Sequence, residues 1–173
     1  MKATWVLSGC LLLTGLLFAT SLYADQTLKS KDGEIQLTLP DGWKEKSTEN
    51  ASITIDAENV AKHEYVMVLS EASADFADPF EKYAKDRAVA MGDKLDDSTV
   101  SDVKPVKANG KDALQYEIHG ITKSPRVKVA YLLTVVKGDS HFIQVVGWAT
   151  ESKFAAGLKD FAALPDGISE VAK

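Results

Sequence analysis

Two long strands that are apolar on both sides constrain this chain most. Val127–Val136 and His141–Ala149 flank Gly138-Asp139, a dipeptide of the kind that closes tight hairpins. Counted outward from that turn, Val135 is set opposite Phe142, Tyr131 opposite Val146 and Val129 opposite Trp148 on one side. The other side carries Thr134 with Ile143, Leu132 with Val145 and Ala130 with Gly147. Side chains alternate along a strand with a period of two, so apolar residues at odd and even positions alike demand cover on both faces. This hairpin therefore belongs in the middle of a sheet with a layer above and a layer below. The small residues Ala130, Gly147 and Ala149 predict that one covering helix approaches closely.

Two helices are available as cover. Asp78 suits an N-cap and Pro79 a first helical position. From there Phe80, Tyr83, Ala84, Arg87, Ala88 and Met91 form one stripe at helical spacing, and Gly92 ends it. A second helix is predicted from about Glu151 to Leu164 behind a Thr150 cap. It groups Phe154, Leu158, Phe161 and Ala162 and is stopped by Pro165-Asp166-Gly167.

Asn109-Gly110 marks another hairpin, between Val103–Val106 and the alternating run Ala113–His119. Its expected register sets Val103 opposite Tyr116 and Ser101 opposite Ile118. Leu114, Tyr116 and Ile118 then share a buried face, and Gln115, Glu117 and His119 a wet one. Shorter strands are expected at Glu34–Leu39, Trp43–Lys46, Ile53–Asp56 and Tyr65–Ser70, with a Pro40-Asp41-Gly42 turn. The sum is an α+β chain, an antiparallel sheet sandwiched between helices.

The N-terminus reads as an export signal. Lys2 is followed by an uncharged run from Ala3 to Tyr23, rich in leucine, with the first acidic charge at Asp25. Cleavage is expected between Ala24 and Asp25, with a cut after Ser21 as the competing site and an uncleaved anchor as the alternative. Residues 1–24 are thus expected as signal peptide and 25–173 as a single domain, periplasmic or secreted. Membrane association would come only through an uncleaved N-terminal helix. Leu7-Ser8-Gly9-Cys10 also spells a lipoprotein-type box, but Cys10 fits better as a passenger of the apolar run. Cys10 is the only cysteine, so the processed chain lacks disulfides, thiol nucleophiles and thiolate metal sites. Removing Lys2 from 20 basic residues leaves 19 against 25 acidic ones, a formal charge of −6 that disfavours a nucleic-acid partner.

The order of elements and two local phrases carry a resemblance. Ile35-Gln36-Leu37-Thr38-Leu39-Pro40-Asp41-Gly42-Trp43, and Phe142-Ile143-Gln144-Val145-Val146-Gly147-Trp148 with the helix after it, resemble the PsbP-like α-β-α sandwich. That fold is shared by the photosystem II extrinsic protein PsbP, a eukaryotic Ran-binding import factor and DcrB-like bacterial envelope proteins. The resemblance extends over nearly the whole chain after the leader. It implies a non-enzymatic protein whose surfaces serve partners, closest to the exported bacterial members, and it carries over no functional residue.

Candidate chemistry is sparse. His63, His119 and His141 show no metal-ligand spacing and read as surface histidines. Asp139, Ser140 and His141 are adjacent in sequence, where side chains are expected to point apart rather than converge as a triad must. Asp93, Asp96, Asp97 and Asp102 lack the calcium-loop pattern and read as a solvated loop. Asn50-Ala51-Ser52 is a glycosylation sequon, relevant only in a glycosylating host. Arg126, after Pro125, reads as an edge charge. Arg87 interrupts an apolar stripe, so it must snorkel, meet a carboxylate or face a ligand. Trp43 and Trp148 are expected in the core, yet tryptophan also anchors partner surfaces. Arg87, Trp43 and Trp148 are the candidate partner or ligand residues; no catalytic residue, cofactor or metal is expected. The expected function is an exported accessory or binding protein contacting another envelope protein. The alternatives are a small-ligand carrier with a pocket near Ala130, Gly147 and Ala149, and an unrecognised hydrolase.

Overall fold

The computed structural model describes residues 25–171; the export segment, Cys10 and Ala24 lie outside the described residues. The first half of the chain forms β1 (Gln26–Lys29), β2 (Ile35–Leu39), β3 (Lys44–Glu45), β4 (Ile55–Asn59), β5 (Glu64–Ala72) and α1 (Phe80–Gly92). Then come β6 (Asp96–Val100), β7 (Lys104–Ala108), β8 (Lys111–Ile121), β9 (Lys128–Lys137), β10 (His141–Thr150), α2 (Glu151–Ala163) and β11 (Ile168–Glu170).

Eight strands make one antiparallel sheet in the order β3-β4-β5-β10-β9-β8-β6, with β7 also pairing to β8. A second sheet has the order β1-β2-β11. The hairpin β9–β10 lies in the interior of the large sheet, as its two-sided apolarity requires. On one face α1 seats Phe80, Tyr83, Ala84 and Ala88 against Tyr116, Ile118, Leu133, Val135, Phe142 and Val146. On the other, Phe154 and Phe161 of α2 join Leu28, Ile35, Leu37, Leu39 and Ile168 of the small sheet over Ala130, Leu132, Ile143, Val145 and Ala149. The chain has the PsbP-like α+β fold, with one addition to the expected sandwich: the second layer is a helix plus a three-stranded sheet. Strands β1 and β11 are only four and three residues long, too short for alternation to register, so sequence periodicity missed both, although Asp32-Gly33 marks the turn between β1 and β2.

Several local expectations are corrected. Pro79 is the N-cap of α1 rather than its first residue, with φ −57° and ψ 150°. Asp78 does not cap the helix but pairs with Lys82 at 2.9 Å. The β9–β10 register is displaced by two residues from the expected one: Val135 pairs with Gln144, Tyr131 with Trp148 and Leu132 with Gly147. The turn residues are accordingly Asp139-Ser140, inside a Gly138 N–H bond to the His141 carbonyl. A distant carboxylate decides this, because Glu170 accepts the N–H groups of both Asp139 and Ser140. A slip of two keeps every side chain on its face, so the inward and outward assignments hold.

The β7–β8 hairpin has the expected register over Lys104–Ala108, with Val106 on Ala113 and positive φ at Asn109 and Gly110. Beyond it the ladder shifts by one, and Val100 rather than Ser101 pairs with Ile118. Ser101 instead bonds Glu117 twice, through its backbone N–H and its hydroxyl. The acidic stretch expected as a loop contains β6, with Asp97 at φ +50° where the register shifts. β3 is shorter than Trp43–Lys46, β4 is displaced toward Asn59, and β5 runs on to Ala72. The face expected to be wet is partly covered: Gln115 is buried and donates to Thr134, and His119 packs edge-on to Phe154 of α2. In α2 the buried set is Phe154, Gly157 and Phe161, while Ala162 faces out.

Candidate functional site

Helix α1 covers only part of its face of the large sheet. Cross-strand pairs run along β5 and β10 on that face in the order Glu71–Phe142, Leu69–Gln144, Met67–Val146 and Tyr65–Trp148. Beside them, between β5 and the C-terminal half of α1, lies an open trough of about 470 Å³. Its floor is Met67, Leu69 and Tyr131; Arg87 and Met91 of α1 with Lys94 just past the helix form one bank, and the 50–54 loop the other.

A polar network closes one end. Tyr83 donates its hydroxyl proton to Glu71 Oε2 at 2.6 Å, Gln144 Nε2 donates to the same oxygen at 3.1 Å, and Arg87 donates to Glu71 Oε1 at 2.9 Å. Gln144 also donates to the Tyr83 oxygen at 3.0 Å. Burial and the bond to Glu71 push the Tyr83 phenol up to about 12, so it remains an O–H donor. The guanidinium of Arg87 lies over the rings of Tyr83 and Phe76, with its carbon 4.8 and 5.4 Å from the centroids. Arg87 thus meets a carboxylate and also lines the trough.

An aromatic cluster lies farther along the same face, past the Met67–Val146 pair. Trp148 stacks on Tyr65 with centroids 4.3 Å apart and planes 21° from parallel, and Tyr131 stands 6.1 Å away. Lys46 sits over the Tyr65 ring at 5.5 Å. Trp148 is only half-buried, in contrast to its expected place in the core. Trp43 is 5% exposed and packs in the core on the α2 side of the sheet. Of the three candidate residues, the fold brings Arg87 and Trp148 to one face and sends Trp43 away. Sequence reasoning missed Glu71, Tyr83 and Gln144. Their signal was present as a pair of anomalies: an arginine in an apolar helix stripe and a glutamine in an apolar strand, each needing a buried polar partner.

The three histidines lie in different parts of the fold. His63 is exposed in a turn at φ +58°. His119 Nδ1 meets Glu151 at 3.0 Å. His141 is not a surface residue: its side chain is 16% exposed, and Nδ1 meets Glu170 at 2.9 Å while Nε2 meets Glu34 at 3.2 Å. Ser140 Oγ does approach His141 Nδ1, at 3.1 Å, against the expectation that neighbours point apart. The turn folds both onto Glu170. The arrangement still cannot work as a triad, because serine and carboxylate share one ring nitrogen and Glu34 occupies the other. Asp139 pairs with Lys111 instead. Burial alone would push the Glu170 carboxyl up, but the Asp139 and Ser140 N–H groups, His141 and the Ser140 hydroxyl outweigh it and bring it down to about 2. Among the described residues no three His, Cys, Asp or Glu side chains converge as metal ligands. The space expected for a ligand near Ala130, Gly147 and Ala149 is filled by Phe161 of α2.

A large antiparallel sheet with one helix on one face, and a helix and small sheet on the other, defines the PsbP-like α-β-α architecture. Solved structures share it at low sequence identity. The chain is similar in fold to the cyanobacterial PsbP of Synechocystis sp. PCC 6803, at TM-score 0.63 and 10% identity over 91% of this chain and 99% of that one. It is similar to the Ran-binding protein Mog1p of Saccharomyces cerevisiae, at TM-score 0.55 and 9% identity over 85% and 95%. It is similar to LpqN of Mycobacterium tuberculosis, involved in cell envelope biogenesis, at TM-score 0.56 and 14% identity over 87% and 92%. No family model matches the chain, and no curated protein does. Among the described residues no helix is long and apolar enough to cross a membrane.

Proposed function

We propose that this chain is an exported, non-enzymatic accessory protein that binds an envelope protein across the uncovered part of its sheet. Residues 1–24 act as a signal peptide removed between Ala24 and Asp25, and residues 25–173 work as one domain in the periplasm or outside the cell. The observation that carries the binding role is the half-buried Trp148 stacked on Tyr65 beside the trough. Tryptophan, tyrosine and arginine dominate protein interfaces because large rigid rings bury much area at little entropic cost. Two of the fold's neighbours support the reading in kind, one a Ran-binding protein and one involved in cell envelope biogenesis. The absence of catalysis is supported by the trough's chemistry: it contains no histidine, and its carboxylate already accepts three donors.

A photo-crosslinking side chain at Tyr65, installed in the producing cell, tests the reading. The expected result is one reproducible adduct with an envelope protein, lost on Trp148→Ala and absent when the label is at Val60 on the exposed β4–β5 turn. The same adduct from both labels would reject this surface. Mass spectrometry of the recovered protein should find Asp25 as its first residue.

A further inference from the structure

We propose that the trough between α1 and β5 is also a binding site for a small anionic amphiphile, a single carboxylate carried on an apolar body. This goes beyond the protein-contact reading, which is carried by the Trp148–Tyr65 stack and not by the trough. The volume of about 470 Å³ falls in the range of small-ligand pockets, about 300–1,000 Å³. The floor of Met67, Leu69 and Tyr131, with Met91 on the bank, suits an apolar body, and methionine adapts to irregular shapes.

The charges select the sign of the head group. Glu71 is the trough's one carboxylate and is satisfied by Tyr83, Gln144 and Arg87, so it offers little to a cation. Arg87 spends one N–H on Glu71, and its Nε is buried without a partner among the described residues. The side chain as a whole stays 32% exposed, so the terminal guanidinium N–H groups are what it offers the trough. Its plane is held by the Tyr83 and Phe76 rings, which presents a fixed fork to a carboxylate. Lys94, two residues past the end of α1 and lining the same trough, pairs with no carboxylate among the described residues. Two cations against one satisfied anion leave a net positive lip over an apolar floor. A neutral amphiphile would leave that lip unmatched, and a small inorganic anion would leave the floor wet.

Equilibrium dialysis of the protein as recovered from cells, with decanoate as probe and decanol and decyltrimethylammonium as comparators, tests the site. Decanoate should bind at one saturable site, with decanol and the ammonium at least about tenfold weaker, the loss of one charge-assisted contact. Lys94→Gln and Arg87→Gln should each weaken decanoate severalfold and leave decanol unchanged. Should Arg87→Gln fail to fold, Met91→Glu, on the half-exposed bank of α1, should abolish decanoate binding with an unchanged circular dichroism spectrum. Equal binding of the three probes, no saturable decanoate binding, or decanoate binding indifferent to both Lys94→Gln and Met91→Glu would each overturn the proposal. Decanoate binding that survives Trp148→Ala separates this site from the protein-contact surface; its loss in that variant would overturn their independence.

Discussion

Phe161 of α2 occupies the place a side chain at Gly147 would need: a Cβ built at Gly147 would lie 2.6 Å from the Phe161 ring. Gly157, one turn earlier in α2, leaves room for the same ring, at 2.9 Å. The small residues in an otherwise apolar strand therefore seat a phenylalanine and leave no pocket. Gly147→Ala should lower stability by about 1–3 kcal/mol, the cost of overpacking a closed core. Chemical denaturation measures it, and Phe161→Leu in the same chain should recover part of the loss because the two sites are coupled.

Glu170 ties β11 to the β9–β10 turn, and its carboxyl is brought down to about 2. A carboxyl held lower in the folded state than in the unfolded one adds stability above its unfolded value of 4.5 and loses it as pH falls toward 2. The contribution is of order ~3 kcal/mol at neutral pH. Denaturation midpoints measured from pH 7 to pH 2 should fall steeply below about pH 5 in the natural chain. Glu170→Gln should be less stable at pH 7 and show a shallower decline.

Glu64 is buried beneath α2, and its Oε2 has no partner among the described residues. Burial, with Asp160 nearby, raises its carboxyl, while Lys62 opposes the shift. A carboxyl raised in the folded state weakens the fold once it ionises, so the penalty is present at pH 7 and disappears on acidification. Glu64→Met should therefore stabilise the protein at pH 7 by about 1 kcal/mol, by removing an unsatisfied buried oxygen. The gain should shrink when the same denaturation is run at pH 4.

Asn109 sits at φ +47° in its hairpin turn, where glycine is equally at home. Its side chain also donates to the Ile168 carbonyl at 2.9 Å, fastening β11 to the large sheet. Asn109→Gly should consequently cost about 1 kcal/mol, one lost hydrogen bond, although the turn itself is preserved. Hydrogen exchange should show the loosening at residues 168–170 rather than at the turn.

The central hairpin, both helices and the face of each central side chain were legible, because alternation and helical spacing are properties of consecutive residues. Register was less so. Sequence placed the β9–β10 turn at Gly138-Asp139, whereas Glu170, thirty residues on, holds Asp139-Ser140. The same reach defeated the expectations about His141, which Glu34, just before β2, and Glu170 of β11 draw inward. The candidate site was half legible. Arg87 stood out as a cation in an apolar stripe, but nothing local names Glu71 as its partner or sets Trp148 on the same face.

Periodicity and turn chemistry determined that a two-sided apolar hairpin must lie inside a covered sheet, since each strand's burial demand is written in its own alternation. Which parts of that sheet stay uncovered was decided only by tertiary structure. Helix α1 is thirteen residues long; it packs on Phe142 and Val146 of β10 but leaves the β5 side of that face open. Along that open side, an arginine, an aromatic pair and an apolar floor that are far apart in sequence share one face of the sheet.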